Sequence, residues 1–290
     1  MNNLHRELAP ISDAAWADIE EETSRTLKRY LAGRRVVDLQ GPSGEVLAAV
    51  GTGHLRSIAA PGKGIVARQR EVKALVELRV PFELDRQAID DVERGANDSD
   101  WQPLKDAARR IAFAEDSAIF EGYQAAGIQG VRQGTSNPVM TLPADVRHYP
   151  QAIAESLSRL RLVGVGGRYS VLLGADAYTA LDESSDHGYP VLDHIRELID
   201  NEIVWAPAIA GAFVVTTRGG DFKLHIGQDI SIGYLSHTDA AVRLYLQESF
   251  TFLLLTTEAA VALAPAATIA SSLLNPRSRS SRHRTTISRE

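Results

Sequence analysis

Three short stretches hold residues whose types and spacing invite a chemical reading. In RGGDFKLHIGQDISIGY, residues 218–234, glycines interleave with acidic and apolar side chains. A phosphate-cradling loop ends in Gly-Lys-Ser/Thr, so that the lysine reaches the phosphates and the hydroxyl holds magnesium. Here Gly220 is followed by Asp221, whose carboxylate repels phosphate. A dinucleotide fingerprint opens a helix, whereas the residues after Gly220 alternate like a strand. The stretch reads as a turn leading into a hairpin.

The second stretch, SSDHGYP at 184–190, offers Ser184, Ser185, Asp186 and His187 as parts of a hydrolase. Adjacent residues do not make a triad, because its members converge from separate segments onto an oxyanion hole. No Gly-x-Ser-x-Gly elbow occurs anywhere in the chain. His187 and His194 are separated by a proline and do not have ligand spacing on one helix, while His5, His54, His148 and His237 are scattered singly. The third feature is the acid pairs Asp90–Asp91 and Glu115–Asp116. A carboxylate-bridged metal pair needs Glu-x-x-His on two helices. That pattern is absent, so the pairs read as solvated helix faces and helix-packing salt bridges. No catalytic constellation, cofactor site or metal site is expected.

The totals agree with a protein that works through surfaces. The chain has 290 residues, 44% hydrophobic and 23% charged, in the range of soluble globular proteins. It has no cysteine, which removes disulfides and thiolate chemistry and suits a reducing compartment. No secretory signal is visible at the start, and the most apolar run, FTFLLLTTEAAVALAP, is broken by Thr256, Thr257 and Glu258. A soluble, cytoplasmic protein without membrane contact is expected. The net charge of −6 hides a split: residues 1–265 carry 26 basic against 36 acidic side chains, whereas 266–290 hold five arginines and one acid. Such an acidic body is a poor nucleic-acid binder. The Arg/Ser-rich tail 266–290 reads as disordered, and equally as a polyanion-binding arm or an appended extension.

The elements that must position these residues follow from periodicity. Residues 12–32 form an amphipathic helix capped by Ser12, with Ile19, Thr23, Leu27, Tyr30 and Leu31 on one stripe and Gly33 as its stop. A Gly-punctuated hairpin or long loop occupies 41–64. The run LVELRVPFEL alternates as a half-exposed strand, and Pro81 assigns it to an edge. Two helices follow, Asp85–Arg94 and a long spine from Ser99 to Ala126, whose buried side runs from Leu104 and Ile111 to Ala118, Ile119 and Tyr123. From 127 to 225 short helices and strands alternate over a domain-sized segment. Alternation then returns through Phe222, Leu224, Ile226, Ile230 and Ile232, and next places Val242, Leu244 and Leu246 against Arg243, Tyr245 and Gln247.

Taken together, several long motifs in order resemble the encapsulin shell proteins, the linocin family of bacteriocins, over residues 1 to about 265. Besides the 218–234 stretch, they are GRRVVD (33–38), DDVERG (90–95), FAEDSAIFEGY (113–123), HGYP (187–190) and VRLYLQESFTF (242–252). The resemblance implies an α+β fold, that of tailed-phage major capsid proteins. It divides the chain into a peripheral domain (1–44, 76–126 and 226–265), an extended loop (45–75) and an axial domain (127–225). It further implies a non-enzymatic protomer that self-assembles into a closed icosahedral shell, of about 60 subunits at the smallest. Such shells enclose a dye-decolorising peroxidase or a ferritin-like protein bearing a C-terminal targeting peptide. By the same resemblance Leu27, Leu31, Arg34, Asp38, Ile230 and Ile232 form the peptide groove, apolar with one charge pair, although each reads equally well as core. Asp182, Glu183, Asp186, His187 and Tyr189 would ring a five-fold pore. Where some members carry a tryptophan for flavin this chain has Gln87, so no flavin is expected. The alternative, a secreted bacteriocin or protease, needs a nucleophile and an export route that the sequence does not display.

Overall fold

The computed structural model describes residues 3–186 and 188–266, so His187 and the tail from 267 onward lie outside the described residues. Helix α1 (Asp13–Tyr30) starts where the Ser12 side chain accepts the Ala15 N–H. The 3-10 turn Gly33–Arg35 leads to β1 (Asp38–Gln40), then to the hairpin β2 (Ala49–Ile58) and β3 (Ala67–Ala74), and to β4 (Val76–Asp85). Helix α2 (Arg86–Glu93) is capped by Asp85, which accepts the Gln87 N–H, and α3 (Gln102–Phe120) carries Pro103 in its first turn. The helical turn α4 (Val131–Gly134), β5 (Met140–Leu142), α5 (Tyr149–Leu162), β6 (Tyr169–Leu173) and α6 (Ala175–Asp182) follow. A small hairpin of β7 (Ser185–Asp186) and β8 (Tyr189–Pro190) precedes α7 (Val191–Leu198), β9 (Ile203–Trp205) and β10 (Ala212–Thr216). The chain ends in β11 (Phe222–Ile226), β12 (Ser231–His237), β13 (Ala241–Leu254) and β14 (Ala260–Pro265).

Two mixed sheets organise the molecule. In the first, the long β13 pairs with β4 along one side and with β12 and β11 along the other, and β1 adds parallel to β11. Because among the described residues β4 pairs only with β13, Pro81 sits on an edge, as its missing N–H requires. The second sheet runs β5-β14-β10-β6-β9. Its central strands β6 and β10 are buried throughout, one face against α5, α6 and α7, the other in a core shared with the first sheet through Phe120, Phe213, Leu224 and Phe252. A third cluster packs α1, α2 and α3 on β4, β12 and β13. The architecture is α+β.

Four expectations need correction. The stretch 226–265 does not stay together: after β13 the chain crosses over, and β14 pairs antiparallel with β10 in the second sheet. The apolar run VALAP is satisfied there by two strand neighbours instead of one edge. Helix α3 ends at Phe120, not Ala126, because Tyr123 and Ile128 exchange backbone hydrogen bonds across a tight turn, leaving Tyr123 40% exposed. Gly33 does not stop α1 but begins the turn after it; a Cβ there would meet Ile119 Cδ1 at 2.6 Å and Asp116 Oδ1 at 2.9 Å. Tyr245 and Gln247 are buried rather than outward-facing: the Tyr245 hydroxyl donates to the Asn3 carbonyl of the N-terminal segment, and Arg79 lies over the Tyr245 ring and bonds Gln247.

Candidate functional site

A groove of about 640 Å³ opens between α1 and β12. Leu27 and Leu31, one helical turn apart, form one wall. Ile230 and Ile232, two residues apart on the strand edge, form the other. The mostly buried Arg34, the half-exposed Asp229 and the exposed Lys28 also line it. The N-terminal segment closes one end: the Tyr234 N–H donates to the Leu4 carbonyl, and Arg6 pairs with Glu20 and lies over the Trp16 ring. Five of the six residues expected to share a groove therefore do so, and Ile232 doubles as core.

Asp38 does not. Its Oδ2 accepts the Gly220 N–H at 2.6 Å, so it anchors the 218–221 turn at a separate small cleft. That turn needs the positive φ of +85° at both Gly219 and Gly220 and is clamped by the Arg218–Asp221 ion pair. The expected charge pair is thus not Arg34 with Asp38; Arg34 is turned inward, onto other acids.

The Arg34 guanidinium is a hub. Nε and Nη2 grip Glu115 at 2.6–3.0 Å, Nη1 donates to Asp229 Oδ1 at 2.8 Å, and Glu248 Oε2 lies 3.5 Å from Nη2. Burial works to lower the Arg34 pKa, but Glu115 and then Asp229 outweigh it and hold the group above its ordinary value. Glu115 and Glu248 are fully buried. Burial, then the neighbouring Glu115, pushes the Glu248 carboxyl well above the usual carboxylate range. Asp116, also fully buried, accepts the Ala32 and Gly33 N–H groups and so fixes the start of the turn that carries Arg34. Burial pushes it up to about 7 against the opposing pull of those two bonds. The Glu115–Asp116 pair is therefore no solvated helix face. Periodicity held the signal: Glu115 falls on the Ile111–Ile119 stripe and Glu248 on the Leu244–Leu246–Phe250 face.

A second region gathers Asp182 and Glu183, exposed at the end of α6, with the β7–β8 hairpin, where Asp186 pairs with Tyr189. Tyr189 is exposed and stacks on His194 at 6.2 Å between ring centres. His187 lies outside the described residues. Gln87 is an exposed residue of α2 bonded to Asp91. Among the described residues no cluster of three or more His, Asp or Glu could hold a metal, and no helix is long and apolar enough to cross a membrane.

The linocin family model, described as "Encapsulating protein for peroxidase", matches residues 1–251. The chain belongs to the encapsulin shell-protein family. A type 1 encapsulin shell protein of Rhodococcus erythropolis is 62% identical over 264 residues, covering 91% of this chain and 100% of the relative. One from Mycobacterium tuberculosis is 60% identical over 263 residues, covering 91% and 99%. Among solved structures, a virus-like particle from Pyrococcus furiosus superposes with a TM-score of 0.60 at 13% identity, covering 86% of this encapsulin and 98% of that chain. Gordonia phage Cozz gives 0.52 at 12% identity, covering 82% and 87%. These two likenesses concern the fold alone, which is that of the tailed-phage capsid proteins.

Proposed function

We propose that this encapsulin chain is the non-enzymatic protomer of a closed icosahedral shell. The observation that carries the reading is the β2–β3 arm. Among the described residues its strands pair only with each other, and Val46, Leu55, Ile58, Ile65, Val66 and Val72 stay exposed within the protomer. A two-stranded hairpin without a core is marginal in water. Docking on neighbouring protomers buries such an arm and covers its edges, and a closed assembly leaves none over. The named relatives, shell proteins and a virus-like particle, support the same reading and do not favour a secreted bacteriocin.

Within that shell the α1–β12 groove receives the targeting peptide of a cargo enzyme, a dye-decolorising peroxidase or a ferritin-like protein. Its support is shape and chemistry: apolar walls of Leu27, Leu31, Ile230 and Ile232 suit an extended apolar peptide. The α6 end and β7–β8 hairpin, repeated around a five-fold axis, make an acidic pore that favours cations. We place the shell in the cytoplasm, with about 60 subunits if it is of the smallest class. Size-exclusion chromatography with negative-stain imaging tests the assembly. Closed particles are expected; a chain that stays monomeric at all protein and salt concentrations would sink the proposal.

A further inference from the structure

We propose that Glu248 carries a proton which it donates to Glu115, and that this proton fixes Arg34 and, through it, the groove residues Asp229 and Ile230, so that the groove loosens as pH rises. Its importance for cargo rests on the docking role proposed above.

Three carboxylates, Glu115, Asp229 and Glu248, converge on one guanidinium. Arg34 commits its short hydrogen bonds to Glu115 and Asp229. Glu248 is left with a 3.5 Å ion contact, and neither of its oxygens has a hydrogen-bond partner although the side chain is wholly buried. As an anion it would be the third carboxylate on one guanidinium, a buried charge only partly compensated and therefore costly. As an acid it gains an O–H donor, and Glu115, held on the same Arg34 Nη2, is the neighbouring carboxylate to accept it. Protonation gives one of the two orphan oxygens a partner and takes one unit from the excess negative charge.

The surrounding groups offer no other remedy. On α3, Asp116 adds negative charge and spends both oxygens on the Ala32 and Gly33 N–H groups. Arg35, beside Arg34, is taken by Glu202. On β4, Glu77 and Arg79 pair with residues of the other sheet face, Arg79 bonding Gln247. On β11, Lys223 and His225 alternate away, His225 opposite Thr251. Lys28 of α1 is an exposed lining residue of the groove. Arg34 is thus the one cation paired with Glu248 among the described residues.

The consequence reaches the groove through one link. Asp229 Oδ1 accepts from Arg34 Nη1 and also from the Ile230 N–H. It is the half-exposed member of the cluster, whereas Glu115 is wholly buried. Once Glu248 ionises it competes for the Nη groups, and the exposed acid is the one released. The Glu248 value is raised in the folded state, so the closed groove is stable below the ordinary carboxylate range and is lost as pH rises through the folded value.

Hydrogen–deuterium exchange on assembled, cargo-free shells tests this, corrected for the intrinsic pH dependence of exchange. Protection of 228–234 should fall in the unmodified shell by up to about tenfold per pH unit above the transition. Glu248→Gln, whose amide donates permanently and cannot ionise, should stay flat. No fall in the unmodified shell, or an equal fall in both, overturns the proposal. Should that variant not assemble, infrared spectra of Asp116→Asn shells decide. A protonated-carboxyl band at neutral pH that vanishes on alkalinisation supports the proton, and its absence refutes it. Exchange needs no cargo: a pH-dependent groove whose Ile230 variants load normally fails the docking role alone, and groove-dependent loading with pH-independent exchange fails the proton alone.

Discussion

Arg34 and Glu115, 81 residues apart, meet in a bidentate clasp, with Arg34 Nε 2.9 and 3.0 Å from the two carboxylate oxygens. The clasp ties the turn after α1 to the spine helix α3 directly behind the groove. Because Glu115 is wholly buried, removing the guanidinium strands its negative charge in the core. Arg34→Ala is expected to cost about 3–5 kcal/mol, by analogy with other broken buried pairs. Thermal unfolding at fixed protomer concentration measures it. Arg34→Lys recovers only part of the loss, since an ammonium cannot reproduce the planar fork.

The turn on which Arg34 rides tolerates no side chain at Gly33. An added methyl would press on Ile119 Cδ1 and Asp116 Oδ1, both held in the core. Gly33→Ala should therefore destabilise by about 1–3 kcal/mol, as overpacking does. A melting temperature equal to that of the unmodified protein would contradict the packing described.

Asp116 makes stability depend on pH around neutrality. Its folded value, about 7, lies above the ordinary 3.8. Between those values the folded state binds more proton than the unfolded one, so stability is highest below pH 4 on this account and declines as pH rises through 7. Asp116→Asn should flatten that slope in denaturant titrations between pH 5 and 8, at some cost from one lost N–H acceptor.

For cargo docking, Ile230→Asp puts a charge on an apolar wall, at a half-buried side chain that rests on the edge of the α1–α3–β12–β13 core. Particles should form normally while co-expressed cargo is retained at least about tenfold less, the scale of a lost hot-spot contact. Cargo-to-shell ratios from purified particles measure this, and unchanged loading would remove the groove assignment.

The arm offers the complementary experiment. None of residues 49–74 belongs to the buried core clusters. Replacing 49–74 by a short Gly/Ser link should leave a folded protomer, with its secondary structure by circular dichroism otherwise retained, that does not close into particles. Closed shells from that variant would mean that the arm is not the element completing the assembly.

Local pattern was enough for most of the scaffold. The helix cap at Ser12, the alternation of β4, the edge position of Pro81 and the buried runs of β6 and β10 follow from period and residue type alone. Each depends on neighbours a few residues away. Spacing showed Leu27 with Leu31 and Ile230 with Ile232 to be apolar faces, but that they line a groove came from the family resemblance, and by pattern each read equally well as core. The acids were legible only in part: Glu115 and Glu248 sit at inward positions of their elements, but charge alone argues for solvent.

What the sequence by itself determined was most of the element order, the family resemblance and the apolar face of each element, because short-range periodicity specifies which face of each element avoids water. Only the tertiary structure decided that Asp38 serves the 218–221 turn, that β14 crosses into the second sheet, and that Glu115, Asp229 and Glu248 share one guanidinium. Those are meetings of segments far apart in the chain. Their outcome depends on which buried polar groups find partners once the core has closed, a competition that no local pattern encodes.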